Sequence, residues 1–280
     1  MPFEKWDYKM MNLSIVLSTQ PAAFNALAYK GKLAENLAKI SQLGYDGVEL
    51  AVRDPHLLDI EELEILLREN NLPVPAIGTG QAYGEEGLSF IHPEKKIREQ
   101  AIERIKAQLK LAKKLNALVI IGLVRGRISQ LIPRELAEWW LIDALTACAV
   151  SEPSVKIAIE PINRYETDII NTVDSALKFL GKLKKDNVGL LLDTFHMNIE
   201  EPSINESIRI AQDKIFHIHI ADSNRWFPGA GHLDFRNIFE TLGKINYTGF
   251  ISAEIMPLPD ADTAAENTIM NVKRFWGLCV

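Results

Sequence analysis

Residues 188–196 read VGLLLDTFH: an apolar run, 188–192, closed by the carboxylate of Asp193. A Val/Leu run with no polar alternation suits a strand buried on both faces, as in a parallel sheet. Seven other stretches have the same character: 13–17, 48–52, 74–77, 118–121, 155–159, 215–220 and 250–255. Between the runs lie segments with helical spacing, at 32–43, 60–69, 94–115, 134–150, 173–183, 204–211, 235–245 and 263–276. Pro55, Pro93, Pro133 and Pro202 fall in the connections before four of these, where a missing N–H costs little. Gly44 and Gly181 lie near expected helix ends, where positive φ is useful.

Eight strand–helix pairs in alternation can close through right-handed crossovers. The fold expected is therefore α/β, a single (β/α)8 TIM barrel, with a doubly wound open sheet as runner-up. The chain has 280 residues, a length one barrel can use. No Gly/Ser-rich linker or composition shift divides it. Residues 1–11 precede the first strand and read as an appendage, and 12–280 read as the catalytic barrel domain.

Hydrophobic residues make up 47% and charged residues 24%, ordinary for a globular protein with a full core. The net charge of −6 disfavours a general nucleic-acid binder, which needs clustered Lys and Arg. Cys148 and Cys279 form no CxxC pair, so a zinc finger or redox motif is not expected. The start, MPFEKWDYKMM, is not a signal peptide, and no stretch has the apolar length of a membrane span. The expectation is a cytoplasmic protein with no membrane partner. GTG at 78–80 lacks the spacing and following helix of a nucleotide fingerprint.

The polar residues fall in a pattern. Glu160 ends the fifth strand in IEPINRYE, Asp193 the sixth in LLDTFHMN, and Glu254 the eighth in ISAEI, while His219 lies in the seventh, HIHIADSNR. That end of the strands is where barrel enzymes carry their active sites. Three carboxylates and an imidazole converging there would repel one another and lose hydration unless a cation neutralised them. Separate salt bridges or caps at four strand ends are the bland alternative, but four such residues on consecutive strands argue for one site. Oxygen-rich ligands with one nitrogen suit a hard divalent ion: Mn²⁺ first, with Mg²⁺ or Co²⁺ also fitting.

The set IEPINRYE, LDTFH, HIHIADSNR and SAEI resembles the xylose-isomerase-like barrel superfamily, in its ketose 3-epimerase branch. The likeness runs from about Asn12 onward. It implies that Glu160, Asp193, His219 and Glu254 hold one metal ion, and that Glu160 and Glu254 also carry the proton. It implies substrate-contacting or supporting roles for Glu166, His196 and Arg225, and a homo-oligomer, dimer or tetramer. Longer segments, AVRDPHLLD (51–59), AIGTGQAYG (76–84), ALVIIGLVRGR (117–127), IEPINRYETD and LLDTFHMNIEE, are similar to the 5-keto-L-gluconate epimerases of bacterial inositol catabolism.

The chemistry so implied is epimerisation next to a ketone through a cis-enediolate. A proton leaves one face and returns to the other, and a cation beside the oxygens lowers the cost of the charge. Glu160 and Glu254 end strands separated around the ring and could flank the substrate. Arg225 can fork onto substrate oxygens and His196 can donate to the carbonyl oxygen. His217 shares the face of His219 and reads as a packed, hydrogen-bonded histidine deeper in the barrel. Arg125 and Arg127 follow the fourth strand at the active-site end. They favour a keto sugar acid, whose carboxylate an Arg fork binds, over a neutral ketose. The alternative is surface arginines paired with neighbouring acids.

Three other readings compete. An aldose–ketose isomerase on the same scaffold shares the enediolate. An endonuclease-IV-like DNA repair enzyme needs three zinc ions and more histidines, yet the third and fourth strands end in AIGTG and IIGL with no ligand. A non-catalytic barrel is disfavoured by the intact quartet together with Glu166, His196 and Arg225.

Overall fold

Each of the eight apolar runs becomes a parallel strand. The protein's computed structural model describes residues 11–130 and 132–277. The strands are β1 (Asn12–Ser18), β2 (Tyr29–Lys30), β3 (Gly47–Ala51), β4 (Ala76–Gly78), β5 (Leu118–Ile121), β6 (Ile157–Ile159), β7 (Val188–Asp193), β8 (Ile215–Ile220) and β9 (Phe250–Ala253). They pair in the order β2-β1-β3-β4-β5-β6-β7-β8-β9. The register Asn12↔Phe250 to Ile15↔Ala253 joins β9 back to β1 and closes an eight-stranded ring, with β2 added beside β1. The (β/α)8 barrel expected from the alternation is the fold.

Helices α1 (Leu33–Leu43), α2 (Ile60–Glu69), α3 (Gln81–Gly84), α4 (Lys95–Leu115), α5 (Arg134–Ser151), α6 (Val173–Leu183), α7 (Thr194–Glu200), α8 (Ile204–Ala211), α9 (Phe235–Lys244) and α10 (Ala261–Gly277) follow. Eight match the expected segments. The short α3 and α7 were not expected; both occupy loops at the active-site end. Gly44 caps α1 with φ 85, as its type suggests. At α6 the left-handed cap is Lys184 (φ 52), and Gly181 is inside the helix.

Strand alternation sorts the side chains into two cores. Val119 and Ile121 of β5 join the large core between barrel and helices. Leu118 and Ile120 point the other way and pack with Ala76, Ala158 and Leu191 inside the ring. Two residues on from Ala158 is Glu160, and two on from Leu191 is Asp193. The same parity takes His217 to His219 and Ser252 to Glu254, so all four site residues inherit the inward face.

Of the expected appendage, Met11 packs into the large core, and residues 1–10 lie outside the described residues, as does Cys279. Cys148 is a buried core thiol, its pKa pushed up to about 12 by burial. Among the described residues no helix is long and apolar enough to cross a membrane.

Candidate active site

Glu160 follows β6 directly, Asp193 closes β7, His219 is the penultimate residue of β8, and Glu254 follows β9. One ligand-type atom from each lies within 4.8 Å of all the others. Local structure decides which atoms remain available. Asp193 caps α7: its Oδ1 accepts from the Phe195 N–H at 2.8 Å, and its Oδ2 is buried with no hydrogen-bond partner. His219 turns Nε2 onto Glu49 Oε1 at 2.9 Å and leaves Nδ1 buried and unpartnered, 4.0 Å from Glu160 Oε1. At the end of β5 a side chain would intrude: a Cβ on Gly122 would lie 2.8 Å from Glu160 Oε2.

The electrostatics show the strain of this convergence. Burial, reinforced by Glu254, lifts Glu160 well above the usual carboxylate range. Burial lifts Asp193 to about 6. Burial opposes a charged His219, but Glu49, Glu254 and Glu160 outweigh it and push the imidazole up to about 10. A divalent cation fits this set: two orphaned buried ligand atoms, three carboxylates in all, and an excess of negative charge that protons otherwise relieve.

Beside the quartet stand the three residues expected to meet substrate. His196, on α7, has Nε2 3.6 Å from Glu160 Oε1 and 3.7 Å from Asp193 Oδ2. Burial, helped by Arg225 and Arg125, holds it well below the ordinary imidazole range, so it is neutral near pH 7. Arg225 forks between Glu166 Oε1 at 3.2 Å and Glu254 Oε2 at 2.8 Å. Its guanidinium lies 5.0 Å from the Phe24 ring and 4.7 Å from the Phe195 ring. All three line one cleft with Glu160, His219 and Glu254, and Val16, Phe24, Leu27 and Ile120 supply apolar wall.

Two expected substrate contacts are not brought to this cleft. Arg125 sits in the single 3₁₀ turn Leu123–Arg125 after β5, and that turn sends its side chain into the barrel wall. It is 0% exposed and donates to the carbonyls of Ile169 (3.0 Å), Ile170 (3.1 Å), Gly122 (3.4 Å) and Glu160. Arg127, beyond Gly126, is exposed, and neither arginine lines the cleft. Arg125 braces the loop after β6, and Arg127 is a surface residue.

Two residues at the site were missed. Glu49 is buried in the middle of β3 and holds both His219 and, at 2.8 Å, His217. His217 also meets Ser252 Oγ at 3.0 Å and is the packed, bonded histidine expected. The signal for Glu49 was a lone acid inside the apolar GVELAV. Asn163 bridges His196 and Glu166 at 2.8 and 2.9 Å; a loop amide in EPINRYE gave no sign of that.

Comparison with known proteins agrees with this architecture. Residues 37–270 match the model of the family described as xylose isomerase-like TIM barrel. The chain is 30% identical over 249 residues to 3-dehydro-D-guloside 4-epimerase of Escherichia coli, covering 85% of this chain and 91% of that one. It is 29% identical over 235 residues to L-ribulose 3-epimerase of Mesorhizobium japonicum, covering 82% and 78%. A solved structure of an L-ribulose 3-epimerase superposes with a TM-score of 0.82 at 27% identity, covering 96% of each chain. The protein therefore belongs to the xylose isomerase-like TIM barrel family, among its ketose epimerases, and is an isomerase that acts on carbohydrates.

Proposed function

We propose that the protein is a metal-dependent epimerase that inverts the carbon next to the ketone of a keto sugar acid, interconverting 5-keto-L-gluconate and D-tagaturonate. The observation that carries the epimerase reading is the presence of Glu160 and Glu254 in one cleft, each with a ligand atom within 4.8 Å of ligand atoms of Asp193 and His219. The substrate pair rests on the resemblance of the long segments to 5-keto-L-gluconate epimerases.

Glu160, Asp193, His219 and Glu254 would hold one divalent ion, Mn²⁺ by preference. When bound, it would supply Lewis-acid stabilisation of negative charge on the substrate oxygens. The chain's own residues do the rest. One of Glu160 and Glu254 takes the proton from the carbon, and the other returns a proton to the opposite face. The Arg225 guanidinium fixes the Glu254 carboxylate through Oε2 and orients it. Neutral His196 donates from Nε2 to the carbonyl oxygen as charge develops there. Phe24, Leu27 and Val16 keep bulk water from that charge.

A neutral ketose, of the D-tagatose or D-psicose kind, is the second reading. A specific observation favours it: the arginine in the cleft, Arg225, is already held by Glu166 and Glu254, and Arg125 and Arg127 do not line it. A panel of 5-keto-L-gluconate, D-tagaturonate, D-fructose, D-tagatose and L-ribulose, assayed with Mn²⁺ and with EDTA, separates the two by kcat/KM. Full turnover of any of them by metal-free protein would overturn the metal-dependent reading. Deuterium from D₂O should enter the inverted stereocentre; entry at the neighbouring carbon would mean an aldose–ketose isomerase.

A further inference from the structure

Asn163 lies three residues past Glu160 and is 1% exposed. Its Oδ1 accepts from the backbone N–H of Tyr165 at 2.9 Å. Its Nδ2 then has two acceptors for two protons: Glu166 Oε1 at 2.9 Å and His196 Nδ1 at 2.8 Å. The reverse amide orientation would set Nδ2 against the Tyr165 N–H, donor to donor, and Oδ1 against the Glu166 carboxylate, acceptor to acceptor. The surrounding groups therefore choose one orientation.

An imidazole nitrogen that accepts an N–H carries no proton. Nδ1 of His196 is thus the lone-pair nitrogen, and the ring proton sits on Nε2, the atom 3.6 Å from Glu160 Oε1 and 3.7 Å from Asp193 Oδ2. We propose that Asn163 is a positioning residue that locks His196 in the Nε2–H tautomer, so that the ring offers the metal quartet and the substrate oxygen a donor and never a lone pair. With the other tautomer, a lone pair would face two carboxylates and could not donate to a carbonyl. The same amide holds Glu166 where it meets Arg225, so one side chain sets the tautomer of one substrate-facing group and the place of the next. The tautomer lock stands on this hydrogen-bond geometry; its catalytic consequence rests on the epimerase reading above.

The test is ¹⁵N NMR of histidine-labelled, Mg²⁺-loaded protein near neutral pH, with the His196 signals identified by their loss in His196→Gln. The wild-type ring should show an unprotonated Nδ1 and a protonated Nε2. In Asn163→Asp the new carboxylate can only accept, so Nδ1 should become protonated. There kcat on the best sugar of the panel should fall by about 100-fold or more with little change in KM. Asn163→Ala should lose less, because it removes the lock without imposing the opposite one. A wild-type Nδ1–H, or an Asn163→Asp enzyme with an unaltered tautomer or an unaltered kcat, overturns the proposal. If Asn163→Asp does not fold, the wild-type spectrum and Asn163→Ala decide it. The expected tautomer in a protein that turns over no sugar of the panel would uphold the lock and count against the epimerase reading.

Discussion

Glu49 Oε1 meets Nε2 of His219 at 2.9 Å, from a strand on the far side of β1 and β9. The contact decides which imidazole nitrogen is left for the quartet: with Nε2 engaged, Nδ1 is free to act as a ligand. Glu49 serves His217 as well, so its two oxygens answer two rings. Glu49→Gln keeps the shape but has one acceptor oxygen and a donor amide. Affinity for Mn²⁺, measured by competition with a chelator, should fall roughly 10- to 100-fold. Unchanged affinity would mean that the barrel wall alone orients His219.

Glu160, Asp193 and His219 all titrate above their ordinary values. A raised value means that the folded, metal-free chain keeps protons the unfolded chain has already released. That contribution is complete below the unfolded pKa and is lost as pH rises: from 3.8 through about 6 for Asp193, and from 6.5 through about 10 for His219. A divalent ion takes the place of those protons. The Tm gap between Mn²⁺-loaded and EDTA-treated protein should therefore widen between about pH 5.5 and 8, with protons released on binding. A gap that stays level or narrows over that range contradicts the linkage.

The barrel was legible because its strands are buried on both faces and its runs are uniformly apolar; the polar residues that end them stand out for the same reason. Glu160, Asp193, His219 and Glu254 could be read from chain position alone, since parity along each strand carries them to the inner face. Glu49 could not be read from strand ends because it sits mid-strand, where a lone acid looks like an exception to the core. Arg125 shows a different limit. Its place after β5 is legible, but its side-chain direction is not, because a three-residue 3₁₀ turn leaves no periodic signature. The Asn163 amide depends on Glu166, His196 and the Tyr165 backbone, a convergence that only tertiary structure brings about.

A side chain at Gly122 would crowd Glu160. A Cβ there would stand 2.8 Å from Glu160 Oε2, and a carboxylate so displaced leaves the quartet. Gly122→Ala should fold and yet bind Mn²⁺ more weakly, with kcat/KM down by about tenfold or more. Wild-type metal affinity in this variant would show that Glu160 has room to swing aside without cost.

Arg125 and Arg127 should part company on mutation. Arg125→Met strips the donor from carbonyls of Gly122, Glu160, Ile169 and Ile170, all in a buried region. Stability in urea should drop by roughly 3 kcal/mol or more. Arg127→Ala should leave both stability and the KM for 5-keto-L-gluconate unchanged, since the side chain is exposed and away from the cleft. A large rise in that KM would return Arg127 to the substrate.

Arg225→Lys separates charge from geometry at the cleft. The wild-type guanidinium reaches Glu166 and Glu254 at once and lies over Phe24 and Phe195, from a backbone held at φ 64. An ammonium keeps the positive charge but cannot fork to two carboxylates while stacked on two rings. Glu254 would keep its place among the metal ligands yet lose the bond that aims Oε2. The expected result is Mn²⁺ affinity within a few-fold of wild type and kcat lower by about 100-fold. If the Arg225→Lys enzyme supports full turnover, charge alone suffices at this position; if metal affinity collapses with kcat, Arg225 acts by holding the quartet together and not by aiming the carboxylate that moves the proton.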